Sequence, residues 1–162
     1  MTASRESKPV RILAIVLRLT LGGIFLYAAW IKLRDPWQLF AMAIDSYGIL
    51  PLKYVELTAK VLPWIELALG LWLIAGKWLR IPSLGVSLLL TLFFTLIVRA
   101  YIRGEEINCG CFGPGEAISW KTMLRDGSML AGSYILTWLT FRRARPQSAA
   151  LEPTPELQKT SS

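Results

Sequence analysis

Histidine is absent from this 162-residue chain, and cysteine occurs only twice. Without an imidazole there is no Ser–His–Asp or Cys–His arrangement, and the commonest metal ligand is missing. Two thiols also fall short of the four Cys or His ligands that a structural zinc site takes. Acidic residues are outnumbered 11 to 18 by lysine and arginine, which gives a net charge of +7. That excess does not read as a nucleic-acid footprint, because no basic stripe is interleaved with aromatics. Arg5, Lys8, Arg11, Lys77, Arg80, Arg142, Arg143 and Arg145 flank apolar runs instead. Orientation signals and contacts to anionic lipid head groups belong at such positions.

What the chain has in abundance is apolar length. Hydrophobic residues make up 54% of it, and the mean hydropathy is +0.46. Several runs approach the roughly 20 apolar residues needed to cross a bilayer. They predict an all-α, integral membrane four-helix bundle with spans at about 10–31, 54–75, 82–102 and 123–141. A basic lead-in (1–9) precedes this single domain (10–141), and a Ser/Thr/Pro-rich tail (142–162) with the composition of disordered segments follows it. The first run follows a basic stretch but is long for a signal peptide, and Tyr27-Ala28-Ala29-Trp30 is a poor cleavage site, so it reads as a retained span. In the first loop, Trp37, Phe40, Ala41 and Ile44 recur at helical spacing between Asp35-Pro36 and Pro51. That predicts a short amphipathic helix lying at the membrane interface. The fourth span is the least regular, because Arg125 and Asp126 leave a continuous apolar run only from Gly127.

Four spans put the two termini and the second loop on one side. The dense Arg142-Arg143-Ala144-Arg145 cluster marks that side as cytoplasmic. The Lys/Arg bias is modest, since Lys32, Arg34, Lys53, Arg103, Lys121 and Arg125 fall on the other side. The expected location is the inner (cytoplasmic) membrane, with the Gly-rich loop after the third span outside, in a disulfide-permissive compartment.

That loop carries Ile107-Asn108-Cys109-Gly110-Cys111-Phe112-Gly113. Residues two apart can satisfy the 4.4–6.8 Å α-carbon separation of a disulfide, and Gly110 lets so small a ring close. A bridge this short removes little unfolded-state entropy, whereas strained, exposed disulfides are the exchangeable kind. Cys109 and Cys111 are therefore the candidate catalytic pair, for thiol–disulfide exchange. A structural disulfide and two incidental small residues are the other readings. With no histidine nearby, Arg103 or Lys121 is the candidate to lower a thiol pKa.

Charges inside the spans are the second feature, since an unpaired charge there is costly. Glu56 and Lys60 are spaced to pair on one helical face, and Arg18 is the expected partner of Glu66 between the first two spans. One reading is that these pairs hold the bundle together. The other is that Arg18, Lys60 and Glu66 form a polar pocket for a quinone head group or a proton route. Gly22-Gly23 and Gly70 permit close helix approach.

Taken together, these residues resemble the methylamine utilisation protein MauE family, within the wider DoxX-like group of small four-helix membrane proteins. The resemblance rests on Arg18-x-x-x-Gly22 with Phe25, Ala28 and Lys32, then Asp35-Pro36 and Tyr47-x-x-Leu50-Pro51. It continues through Leu62-Pro63-Trp64-x-Glu66-x-x-x-Gly70, Cys109-Gly110-Cys111-Phe112-Gly113, Trp120 and Arg125-Asp126. It implies disulfide handling outside the cytoplasm, with a thioredoxin-like (MauD-like) partner, in maturation of a disulfide-rich dehydrogenase subunit. The layout is also similar to disulfide-generating membrane enzymes that pass electrons to quinone. Those enzymes generally relay through two cysteine pairs, and this chain has one. The chain is thus expected to act as a thiol–disulfide oxidoreductase, as a non-catalytic membrane assembly factor, or as a quinone- or small-molecule-binding membrane subunit.

Overall fold

A computed structural model of the chain describes residues 8–104 and 119–149, with side chains as far as residue 142. Five α-helices, and no strand, occur among the described residues: α1 (Lys8–Arg34), α2 (Trp37–Asp45), α3 (Leu52–Ala75), α4 (Arg80–Ile102) and α5 (Trp120–Ala149). α1, α3 and α4 are each long and apolar enough to cross a membrane. At about 1.5 Å per residue, all three exceed the roughly 30 Å hydrocarbon thickness. Only about a third of each apolar stretch is buried within the protein. Leu13, Val16, Leu57, Leu71, Leu88 and Leu92 point outward, a surface that water would penalise and lipid accepts. The chain is a multi-pass membrane protein.

α5 has the length but not the composition to join these three. Arg125 and Asp126 sit in its second turn, which leaves the apolar stretch to begin at Gly127. The helix also continues to Ala149, past the span end expected at Phe141.

Local chemistry sets the helix ends. Pro36 disfavours helical geometry at Asp35, so α1 closes at Arg34 and Pro36 opens α2. α3 ends at Gly76, whose left-handed conformation (φ 74°) lets its N–H donate to the Trp72 carbonyl at 3.1 Å.

α1 and α3 run antiparallel and approach closely at two glycines. A methyl group on Gly70 would lie 3.0 Å from the Gly22 carbonyl oxygen, so the backbones meet where side chains are missing. α4 and α5 are joined by a ladder of hydroxyls instead. Ser83 meets Thr140 at 3.3 Å, Ser87 meets Thr137 at 2.9 Å, and Thr91 meets the Tyr134 hydroxyl at 2.7 Å. α1 also packs on α5, and α3 on α4. The four long helices enclose a core of Ala14, Leu21, Phe25, Leu73, Val86, Leu136 and Leu139.

α2 lies across one end of this assembly, chiefly on α3. Phe40 packs with Ala59 and Leu62, and Trp37, Ala41 and Ile44 close around them. These are the residues whose helical spacing predicts the segment. Through Phe40, α2 also roofs the site described next.

Candidate functional site

The site is built from the last turns of α1 and the middle of α3. On α1, Leu21, Phe25, Ala28, Ala29 and Lys32 are buried at steps of three and four residues, one face of a helix. Lys32 continues an apolar stripe into the bundle, although it is only two residues from the helix end. On α3, Glu66 shares its inward face with Ala59, Leu62, Pro63, Gly70 and Leu73. In the antiparallel pair that meets at Gly22 and Gly70, the long Lys32 side chain reaches along α3 to Glu66. The Lys32 ammonium donates to both carboxylate oxygens of Glu66, at 2.6 and 2.8 Å. Their side chains are only 2% and 6% exposed. A charge in such surroundings persists only when paired and hydrogen-bonded.

Aromatic rings complete the cage. The Lys32 ammonium lies 4.8 Å from the centre of the Phe40 ring and 5.6 Å from that of Phe93, within cation–π range. Beside the pair is a cavity of about 40 Å³, lined by Lys32, Glu66 and Asp126 together with Phe25, Phe93 and Phe94. It is large enough for a water molecule. Asp126 is buried, and its carboxylate accepts from the Arg125 Nε at 2.9 Å. A second, larger cavity of about 220 Å³ lies between the α2–α3 connection, α3 and α4. Its walls are almost wholly apolar, including Ile44, Leu50, Leu62, Leu92 and Leu96. Leu89 and Phe93 line both cavities and form the partition between them.

The polar pocket expected from Arg18, Lys60 and Glu66 does not assemble as such. Glu66 pairs with Lys32, not Arg18. The Arg18 guanidinium packs against Gly76 at the carboxyl end of α3, where the helix dipole favours a cation. Its Nε is buried with no hydrogen-bond partner among the described residues. The reason is register: Arg18 and Lys32 are 14 residues apart on α1, about 21 Å, so only one of them can face Glu66. Lys60 forms the expected pair with Glu56, at 2.6 Å, but on an exposed face. Its ammonium lies 4.3 Å from the centre of the Trp37 ring. Six residues separate Lys60 from Glu66, which turns it about 120° away around α3.

Cys109 and Cys111 lie outside the described residues. The segment that carries them joins α4 to α5. Arg103 and Lys121, the candidate thiol-activating cations, stand exposed on its two flanks.

Sequence reasoning missed Lys32 as a site residue by assigning it to the first loop. The signal that identifies it is its phase, since it falls four residues after Ala28 and seven after Phe25. Phe93 left no comparable mark among the leucines and phenylalanines of α4.

Comparison with known proteins places this geometry in a sequence context. The model of the family described as methylamine utilisation protein MauE matches residues 10–139. The methylamine utilization protein MauE of Paracoccus denitrificans is 31% identical over 114 residues, covering 68% of this chain and 60% of that protein. The protein of the same name from Methylorubrum extorquens is 29% identical over 115 residues, covering 69% of this chain and 61% of its own length. The chain thus spans less than two thirds of the curated relatives it matches. No solved structure matches significantly.

Proposed function

The chain belongs to the methylamine utilisation protein MauE family, and on that premise we propose that it handles disulfides at a membrane surface. It exchanges a Cys109–Cys111 disulfide with a thioredoxin-like, MauD-like partner, in maturation of a methylamine-dehydrogenase-type enzyme. The observation that carries this reading is the Cys109-Gly110-Cys111 motif, which falls within the family-matched stretch. In the chain it falls between α4 and α5, which the hydroxyl ladder joins to each other.

In the exchange, a partner thiolate attacks one sulfur of the pair. The sulfur–sulfur bond breaks, the displaced cysteine leaves as thiolate, and a mixed disulfide links the two proteins. A second partner thiolate then releases the chain as a dithiol, so the partner has lost two electrons and the CxC pair has gained them. Reversal of these steps delivers a disulfide to the partner.

The proposal includes the membrane arrangement. α5 is the fourth span of a DoxX-like bundle in the cytoplasmic membrane, with α2 on the outer interface and both termini inside. α5 supports this by packing along α1 and α4 like a bundle member. The Ser83, Ser87, Thr91, Tyr134, Thr137 and Thr140 hydroxyls are satisfied across the α4–α5 seam, as hydrocarbon surroundings require.

One measurement addresses both parts. Intact spheroplasts are treated with a membrane-impermeant maleimide, with and without mild reductant, and the mass tags on Cys109 and Cys111 are counted. The expected result is no tag before reduction and two after. Cys109→Ser and Cys111→Ser should each abolish exchange, and one of them should trap a mixed disulfide with the partner. A Cys109→Ser/Cys111→Ser double variant that still supports dehydrogenase maturation would overturn the reading in favour of a non-catalytic assembly factor.

A further inference from the structure

The buried pair and the two cavities beside it form a binding site that thiol exchange does not require. Lys32 and Glu66 neutralise each other, and the Asp126 carboxylate that lines the same cavity is paired with Arg125, so the site carries no spare positive charge. An anionic head group would bring uncompensated negative charge into apolar surroundings. A neutral hydrogen-bond acceptor brings none. Lys32 carries three N–H donors; its hydrogen bonds among the described residues go to Glu66, and the rings of Phe40 and Phe93 lie within cation–π range. An ammonium so placed can still donate to a carbonyl oxygen that enters the small cavity.

The shape narrows the class further. The small cavity takes only an atom or two, so the body of the ligand must occupy the larger one. That larger space is walled chiefly by aliphatic side chains, with the Tyr47 and Phe93 rings and Thr58 among its lining and Leu92 itself largely exposed. A flat ring stacks on Phe93 at favourable offset geometry, and a hydrocarbon chain continues past Leu92 and Leu96. Rotation of Phe93 would join the two cavities and admit the carbonyl to Lys32.

We propose that this chain binds a neutral, lipid-soluble ring carbonyl compound of the isoprenoid-quinone class. Its ring lies against Phe93 in the slot between α2, α3 and α4, and its carbonyl oxygen accepts from Lys32, which Glu66 holds in place. The site draws on all five helices, and neither cysteine is among the described residues that line it.

The test uses the full chain in lipid nanodiscs, titrated with decylubiquinone and followed by quenching of tryptophan fluorescence. Bound quinone is confirmed by extraction and chromatography. Saturable binding is expected, unchanged in the Cys109→Ser/Cys111→Ser variant. Leu92→Trp, at a partly exposed edge of the slot, should weaken binding about tenfold or more without touching the ion pair. Lys32→Met/Glu66→Leu, which removes both charges together and so keeps the core satisfied, should also weaken it about tenfold, as loss of a charged hydrogen bond does. Two results overturn the proposal. One is affinity unchanged in both variants, and the other is a slot that yields only phospholipid and shows no saturable quinone binding. Because the Cys109→Ser/Cys111→Ser variant is carried throughout, loss of this proposal leaves thiol exchange untouched, and the reverse also holds.

Discussion

α3 carries two ion pairs of the same length and opposite character. Lys60 meets Glu56 at 2.6 Å with the side chains 49% and 50% exposed; Lys32 meets Glu66 at 2.6 Å with 2% and 6%. The first is an i,i+4 pair that any helix could make, local and readily screened. The second joins residues 34 apart in sequence and fixes α1 on α3. Distance alone therefore says nothing about what an ion pair contributes. What differs is the state left behind when one partner goes: a solvated charge in one case, a buried orphan in the other.

The sharpest way to break the comparison is to remove Glu66 alone. Glu66→Leu leaves the Lys32 ammonium among phenylalanines with no anion bonded to it, and should cost about 3–5 kcal/mol. Reversible SDS-induced unfolding in mixed micelles is the measurement. The double variant Lys32→Met/Glu66→Leu should recover most of that loss, because two apolar groups of similar volume replace a pair that was costly to desolvate. A single variant as stable as the parent would mean that Lys32 reaches water or another anion, and the contrast with Glu56–Lys60 would vanish.

The register that creates the buried pair can be attacked next. A methyl group on Gly70 would press on the Gly22 carbonyl and on Leu26, 3.0 and 3.1 Å away. Gly70→Ala should therefore cost about 1–3 kcal/mol, as overpacking does, and should loosen the Lys32–Glu66 contact with it. The α4–α5 seam is softer. Thr137 touches Ser87 at 2.9 Å and donates to the Ser83 carbonyl at 3.2 Å. Interhelical hydrogen bonds in membranes average about 0.6 kcal/mol, so Thr137→Val should fall near that value by the same assay.

These differences also explain what could be read in advance. The helices α1, α3 and α4 announce themselves by apolar length, and α2 by the phase of Trp37, Phe40, Ala41 and Ile44. The pairing of Glu56 with Lys60 follows from spacing within one helix. The partner of Glu66 does not, because it depends on how α1 and α3 slide past each other. Arg18, deep within an apolar run, looked the more natural partner than Lys32 at its end. Pairing Gly22 with Gly70 in an antiparallel frame sets Arg18 opposite Ile74, near the end of α3 and away from Glu66. The same frame sets Lys32 opposite Lys60 and Glu66 opposite Leu26, so the observed pair depends on the lysine side chain reaching back along α3, which the glycines do not reveal. The cavities were not legible at all, since their lining comes from side chains of all five helices, which share no sequence pattern.

The exposed pair supplies the smallest effect and the control for the rest. Glu56→Gln leaves Lys60 free to turn to solvent while its ammonium keeps the Trp37 face, 4.3 Å away. An exposed i,i+4 pair is worth about 0.3–0.5 kcal/mol, and part of that is retained by the cation–π contact. The expected change is thus below about 0.5 kcal/mol, and it should shrink as salt is raised from 0.05 to 0.5 M, figures on the order of those over which screening shortens the Debye length. The Glu66→Leu loss should not respond to salt, because ions do not reach that site. If Glu56→Gln instead proves as damaging as Glu66→Leu, the Glu56–Lys60 pair is fixing α2 on α3 rather than decorating a surface. Burial would then be the wrong measure of which charges this bundle depends on.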